Sequence, residues 1–306
     1  MRLALLLTQI LPVLALPSLN RAACQHPTRN PLSGCPAGTL LVGPNAPFRT
    51  IQSAVLSLGN TTTASHILVL PGNYTEQVNI TLSAPLYLLG QTVLPHSRHT
   101  NAVNVIWRNA TGAGIVPNID NAYTSTLTVA PTLNASLTGT GPTGFAVPAD
   151  TPFGSADFRA YNLNFINDFA DHAVGPALAV SVSYANAGFY FCGFYSYQDT
   201  VSFGLYNHQP PAIIIIRLTN TERQIYIGKL ANAYFHASEI AGQVDFLYGF
   251  GTAWIESSLL SLRGCGGAIT AWKGTNTTTQ NKYVRLNPPF SLLSPLSPVA
   301  KQNTPA

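Results

Sequence analysis

The chain has 306 residues, of which 46% are hydrophobic and only 8% charged, with a formal net charge of +4. Lys and Arg are scattered rather than blocked, which argues against a nucleic-acid surface, and no apolar run approaches the ~20 residues that cross a bilayer, which argues against an integral membrane protein. Four cysteines are too few for a disulfide scaffold, so the fold must rest on an apolar core, for which the chain is long enough.

The opening MRLALLLTQILPVLALPSLNRAAC carries one basic residue, an apolar block over 3–16 and small residues at Ala22 and Ala23. This is the pattern of a secretory signal peptide, taken as residues 1–22, and it predicts a secreted, extracellular protein. Cys24 and Cys35 bracket a short Pro- and Asn-containing loop and are expected to clip the N-terminal arm, whereas Cys192 and Cys265 are either a second bridge or two buried thiols. Asn-X-Ser/Thr sequons at Asn60, Asn73, Asn79, Asn109, Asn134 and Asn276 suit a glycoprotein.

One amphipathic helix is expected at FRTIQSAVLSLG, 48–59, where Ile51, Ala54, Val55 and Leu58 keep helical spacing and Gly59 ends it. Everything after it reads as short β-branched or aromatic strands separated by Gly, Pro, Asn or Ser: HILVLPG, QVNITL, PLYLLG, VNVIW, FRAYNLNFIN, GFYFCGFY, NAYFHASEI and TAWIESSLL. No second helical pattern intervenes, so a doubly wound α/β sheet is disfavoured and a sandwich, barrel or solenoid remains.

Internal similarity selects the solenoid. Phe189 precedes Asp199 by ten residues and Phe235 precedes Asp245 by ten, and Phe191 and Phe194 answer Ala237 and Ile240. Ile255 follows Phe235 by 20 residues, which suggests coils of about that length stacked as a parallel β-helix, with the helix near residue 50 capping one end. In that arrangement Asp199 and Asp245 lie on adjacent coils, ~4.8 Å apart. A lone Asp at a strand end is ordinarily a turn former. Two in one register can instead divide the roles of acid and carboxylate, because like charges that close cannot both ionise cheaply. The pair alone would equally suit a glycoside hydrolase.

The stretches YSYQDTVSF and GQVDFLYGFGTAW resemble the two catalytic signatures of pectin methylesterases (pectinesterases), and FRTIQSAV, ILVLPGNYTEQVNI, LYLLGQT, FRAYNLNFIND and AITAWKGTN resemble further segments of that family, most of all its secreted fungal members. The resemblance spans about residues 36–283. It implies a right-handed parallel β-helix, all-β apart from the short capping helix, acting as a carboxylic ester hydrolase on methyl-esterified homogalacturonan without metal or cofactor. It also implies a role for each matching residue. Asp245 is the nucleophile, Asp199 the acid that then becomes the base, Gln198 the hydrogen-bond donor to the tetrahedral intermediate, and Tyr248 an aromatic lining of the sugar groove. A monomer is expected.

Three departures accompany the likeness. GPALAVSV places Pro176 where the family has a further oxyanion Gln, and proline offers no side-chain donor. The segment 203–224, with its IIII run, has no family counterpart: if it loops outward the two acids stay adjacent, if it forms an extra coil their separation doubles, and a retained intron would also account for it. The esterase domain is read as 23–283, followed by an irregular Pro- and Ser-rich tail over 284–306 that lacks the family's Gly-Arg-Pro-Trp segment. A truncated, non-catalytic pectin-binding pseudoenzyme is therefore the first alternative. A polygalacturonase or pectate lyase on the same fold is the second.

Overall fold

The computed structural model describes residues 21–111, 119–139, 145–169, 175–196, 225–242, 245–262, 269–272, 284–287 and 291–293. The expected solenoid is there. The chain enters through α1 (Arg21–Gln25), β1 (Leu40–Val42) and α2 (Ile51–Ser57). Each later coil lays one strand in each of three sheets, A, B and C, in turn. The coils are β2 (Ser65–Val69), β3 (Gly72–Thr75) and β4 (Val78–Ile80); β5 (Leu86–Gly90), β6 (Val103–Trp107) and β7 (Leu127–Val129); β8 (Phe158–Tyr161), β9 (Asn164–Asn167) and β10 (Val180–Val182). Then come β11 (Asn186–Tyr190), β12 (Gly193–Tyr195) and β13 (Ile225–Ile227); β14 (Asn232–His236), β15 (Glu239–Gly242) and β16 (Leu247–Gly249); β17 (Thr252–Glu256), β18 (Leu259–Leu262) and β19 (Thr270–Trp272). Two further strands, β20 (Val284–Asn287) and β21 (Ser291–Leu293), extend sheets A and B. Strands of each sheet pair in parallel with the coil before and the coil after, as a right-handed parallel β-helix requires.

Inward side chains alternate with outward ones along every strand and stack on the same position of the next coil. Phe189 pairs with Phe235, ring on ring at 5.1 Å, and Phe235 with Ile255; Phe165, Phe194 and Ile240 form a second fully buried column. The 20-residue coil holds at that step, and Ser65 meets Leu86 after 21 residues. Elsewhere loops lengthen the coil, to 72 residues between Leu86 and Phe158 and to 46 between Phe189 and Phe235.

The runs FRAYNLNFIN, GFYFCGFY, NAYFHASEI and TAWIESSLL are not single strands. Each is a sheet A strand and a sheet B strand joined at a corner, where Asn162, Phe191, Ala237 and Ser257 adopt φ of 58°, 56°, 48° and 51°. The residue after each corner turns inward. Ser258 Oγ accepts from Ser238 N (3.1 Å) and Ser238 Oγ from Cys192 N (3.2 Å), a small polar stack that satisfies amides the corner would otherwise strand. Cys192 is thus a buried, unbridged thiol; Cys265 lies outside the described residues.

The expected Cys24–Cys35 bridge and the helix near residue 50 are both present. Cys24 and Cys35 form a disulfide, and the arm they close packs on Leu68 and Leu89 of sheet A. Thr50 caps α2 by accepting from Ser53 N, and the Glu76 carboxylate accepts from Ile51 N (2.7 Å) and Gln52 N (2.8 Å), placing negative charge at the helix N-terminus. Ile51, Ala54 and Val55 then close the end of the core. At the other end, 284–306 is not wholly irregular: VRLN alternates Val284 and Leu286, and the open edge of β17 templates it as β20. Residues 1–20, within the expected signal peptide, and 294–306 lie outside the described residues.

Candidate active site

Of the sequence-predicted site residues, Asp245 and Tyr248 are described, at the corner between sheets B and C and on the strand that follows it. Asp245 sits in the turn between β15 and β16, at φ 50°, half-buried. Among the described residues it is the one non-glycine left-handed residue at a B–C corner; the others lie at the A–B corners or, as Tyr184 and Leu230, just after the sheet C strands β10 and β13. Asp tolerates this conformation better than most residues. Its place in an apolar run follows from what comes next. Phe246 is fully buried and its carbonyl accepts from Ile225 N (2.9 Å), Leu247 enters the core, and alternation turns Tyr248 outward. The carboxylate is thus held at the rim by a side chain plugged into the core beside it.

Tyr248 stands half-buried on the outer face of sheet C, its ring 5.0 Å from that of Tyr226 one coil earlier. Tyr226 is itself buried beneath the segment that crosses this face, with its hydroxyl directed at the Leu137 carbonyl (3.4 Å), and burial drives that phenol's pKa well above its ordinary value. Sequence reading did not single out Tyr226; its signal was the aromatic repeated in IYI and LYG at one register.

The preceding coils build a firm edge. Arg108 and Asp168 form a two-pronged ion pair (2.8 and 2.9 Å), and the Asn167 amide donates to Asn109 O (2.8 Å), Thr124 O (2.9 Å) and Leu178 O (3.2 Å). Pro176 lies buried on this same edge, its carbonyl accepting from Thr111 N (2.9 Å), so the position offers backbone and no side-chain donor. Ser196, the second residue of the first signature and the last one described there, donates to Ala177 O. Gln198 and Asp199 lie outside the described residues, as does 203–224.

Among the described strands Phe189 pairs directly with Phe235, Phe194 with Ile240 and Val180 with Ile225, so these strands are immediate neighbours in their sheets. A cysteine nucleophile finds no support at Cys192, where burial pushes the thiol's pKa up to about 12.

Three sheets of parallel strands wound coil on coil, with the Asp245 carboxylate at the B–C rim, define a parallel β-helix protein. Its relatives are pectinesterases: the chain is 27% identical over 256 residues to the probable pectinesterase A of Aspergillus fumigatus, covering 83% of this chain and 61% of that one. It is 25% identical over 242 residues to pectinesterase A of Emericella nidulans, covering 79% and 58%. The chain therefore spans about three fifths of the length of these relatives. The crystal structure of the pectin methylesterase from Aspergillus niger superposes with a TM-score of 0.62 at 24% identity, covering 86% of this chain and 68% of that one. No protein-family model matches. The resemblance to fungal pectinesterases, and the fold it implies, are borne out.

Proposed function

We propose that this protein is a pectinesterase, secreted and monomeric, that hydrolyses methyl esters of homogalacturonan to pectate and methanol. The Asp245 carboxylate attacks the ester carbonyl carbon, and the Gln198 amide donates to the oxygen that becomes negative. Asp199, as the acid, gives its proton to the departing methoxide, so methanol leaves and an acyl-enzyme anhydride remains. Asp199, now a carboxylate, takes a proton from water as that water attacks the acyl carbon, releasing galacturonate and regenerating Asp245. Tyr248, beside this carboxylate on the outer face of sheet C, lines the sugar groove.

One observation carries the reading. The offset of 46 residues that pairs Phe189 with Phe235 and Tyr195 with Ala241 also separates Asp199 from Asp245. With Asp199 kept in that register, the two acids form a pair at adjacent-strand spacing, ~4.8 Å. The kinship with pectinesterases supplies the substrate class.

Methanol release from methyl-esterified pectin is the test. Asp245→Asn keeps the shape and removes the nucleophile, and is expected to lower the rate at least about a thousandfold. Equal rates for the two proteins would sink the esterase reading, and chain cleavage in place of methanol would mark a glycan-cleaving enzyme.

A further inference from the structure

Sheet A, on a different wall from Asp245, carries a groove of about 360 Å³, within the range of ligand sites. One outward column across successive coils reads Tyr87, Arg159, Gly188, Tyr234 and Trp254. Gly188 is the gap. With no side chain there, Arg159 and Tyr234 stand two strand spacings apart, about 9.6 Å, and the Tyr190 ring leans into the opening, 2.9 Å from where a Cβ on Gly188 would lie. Tyr190 and Tyr234 meet at 5.6 Å, and Trp254, 37% exposed, continues the aromatic wall. Asn186 and Asn232, joined by a 2.9 Å hydrogen bond, form the polar edge.

The face changes character where its cover ends. Beneath the disulfide-closed arm the outward residues include Leu68 and Leu89; in the open part they are hydroxylated or indole rings, Asn and Thr252. Rings with polar rims suit a ligand with alternating C–H faces and hydroxyls. One of the two carboxylates on this face is paired with a cation, and the other is hydrogen-bonded by a phenol. Asp157 accepts from Arg159 Nε (2.7 Å) and from Tyr87 OH (3.0 Å), and Glu256 accepts from Tyr234 OH. An uncharged ligand needs no counter-charge here, whereas a polyanion would bring carboxylates toward Asp157 and Glu256.

We propose that this groove is a non-catalytic polysaccharide site that prefers methyl-esterified, uncharged galacturonan to the de-esterified polyanion, holding the protein on unreacted polymer. The choice of galacturonan rests on the pectinesterase reading; the groove and its preference for a neutral sugar chain do not.

Native gel electrophoresis through dissolved polysaccharide tests it, using the Asp245→Asn chain so that the matrix stays unaltered. Highly methyl-esterified pectin is expected to retard this protein more than polygalacturonate does. Adding Trp254→Ala should weaken that retardation about tenfold, while Trp254→Phe retains most of it. Asn232→Ala, at an exposed position, provides an independent weakening should Trp254→Ala misfold. Retardation unchanged by either variant, or equal in the two polymers, overturns the proposal, as does a dimer in light scattering that Trp254→Ala abolishes, since the face would then bind a second copy. Methanol release is scored separately on the parent chain. Retardation without esterase activity leaves the groove and removes the esterase reading, and the reverse result removes the groove alone.

Discussion

The two corners that flank sheet B differ in the freedom they leave. At the A–B corner two residues separate the strands in four successive coils, Tyr161 to Asn164, Tyr190 to Gly193, His236 to Glu239 and Glu256 to Leu259, each with one left-handed residue. At the B–C corner the connection runs from two residues between Thr75 and Val78, through four between Gly242 and Leu247, twelve between Asn167 and Val180 and nineteen between Trp107 and Leu127, to twenty-nine between Tyr195 and Ile225. The fixed corner keeps the aromatic columns in register. The free corner accepts inserted chain and carries the candidate chemistry, as loops on a rigid scaffold commonly do.

Inserting two glycines at each corner breaks or sharpens that contrast. Placed after Ala237, they displace Ser238 from Cys192 N and Ser258 Oγ and put every following side chain out of register, so loss of cooperative thermal unfolding is expected. Placed after Phe169, they lengthen a twelve-residue connection to fourteen, at a closure cost of only about 0.1 kcal/mol. Similar damage at both sites would mean that the B–C corner is as constrained as its neighbour.

The same contrast explains what the sequence could tell. The inward columns were legible because Phe189 and Phe235 announce a shared register through residue type alone. The corner was not, since only Asn162 among its four left-handed residues is of a type that favours that conformation; Phe191 and Ala237 are forced into it by the pairing on either side. Asp245 was legible as a carboxylate out of place, but its turn and its anchorage by Phe246 depend on the coil before it. The sheet A groove was invisible, because its column joins unlike residue types, Arg159, Gly188, Tyr234 and Trp254, which announce no shared register. VRLN was too short to be read as a strand until an open edge stood beside it.

Ala237 measures the strain at the fixed corner. A non-glycine residue at φ 48° carries roughly 1–2 kcal/mol of unfavourable backbone energy. Ala237→Gly relieves it but loosens the unfolded chain, so a net gain of about 0.5–1 kcal/mol is expected in urea unfolding. Ala237→Val adds a branch at Cβ and is expected to cost roughly 1–2 kcal/mol. Two silent substitutions would show that the corner stores no strain.

The smallest expected effect comes from His66, on the outer face of sheet A, stacked on Tyr87 at 4.8 Å. Burial lowers its pKa below the ordinary 6.5, so between that value and the folded-state pKa the unfolded chain binds more protons than the folded one. Its contribution is therefore intact above pH 6.5 and falls away as pH drops through the folded-state pKa. His66→Gln removes this component alone, so the parent chain should lose more thermal stability than the variant on acidification below pH 6.5, and the two should run parallel above it. A difference that instead grew as pH rose would mean the imidazolium is favoured in the fold, contrary to its burial against an aromatic ring.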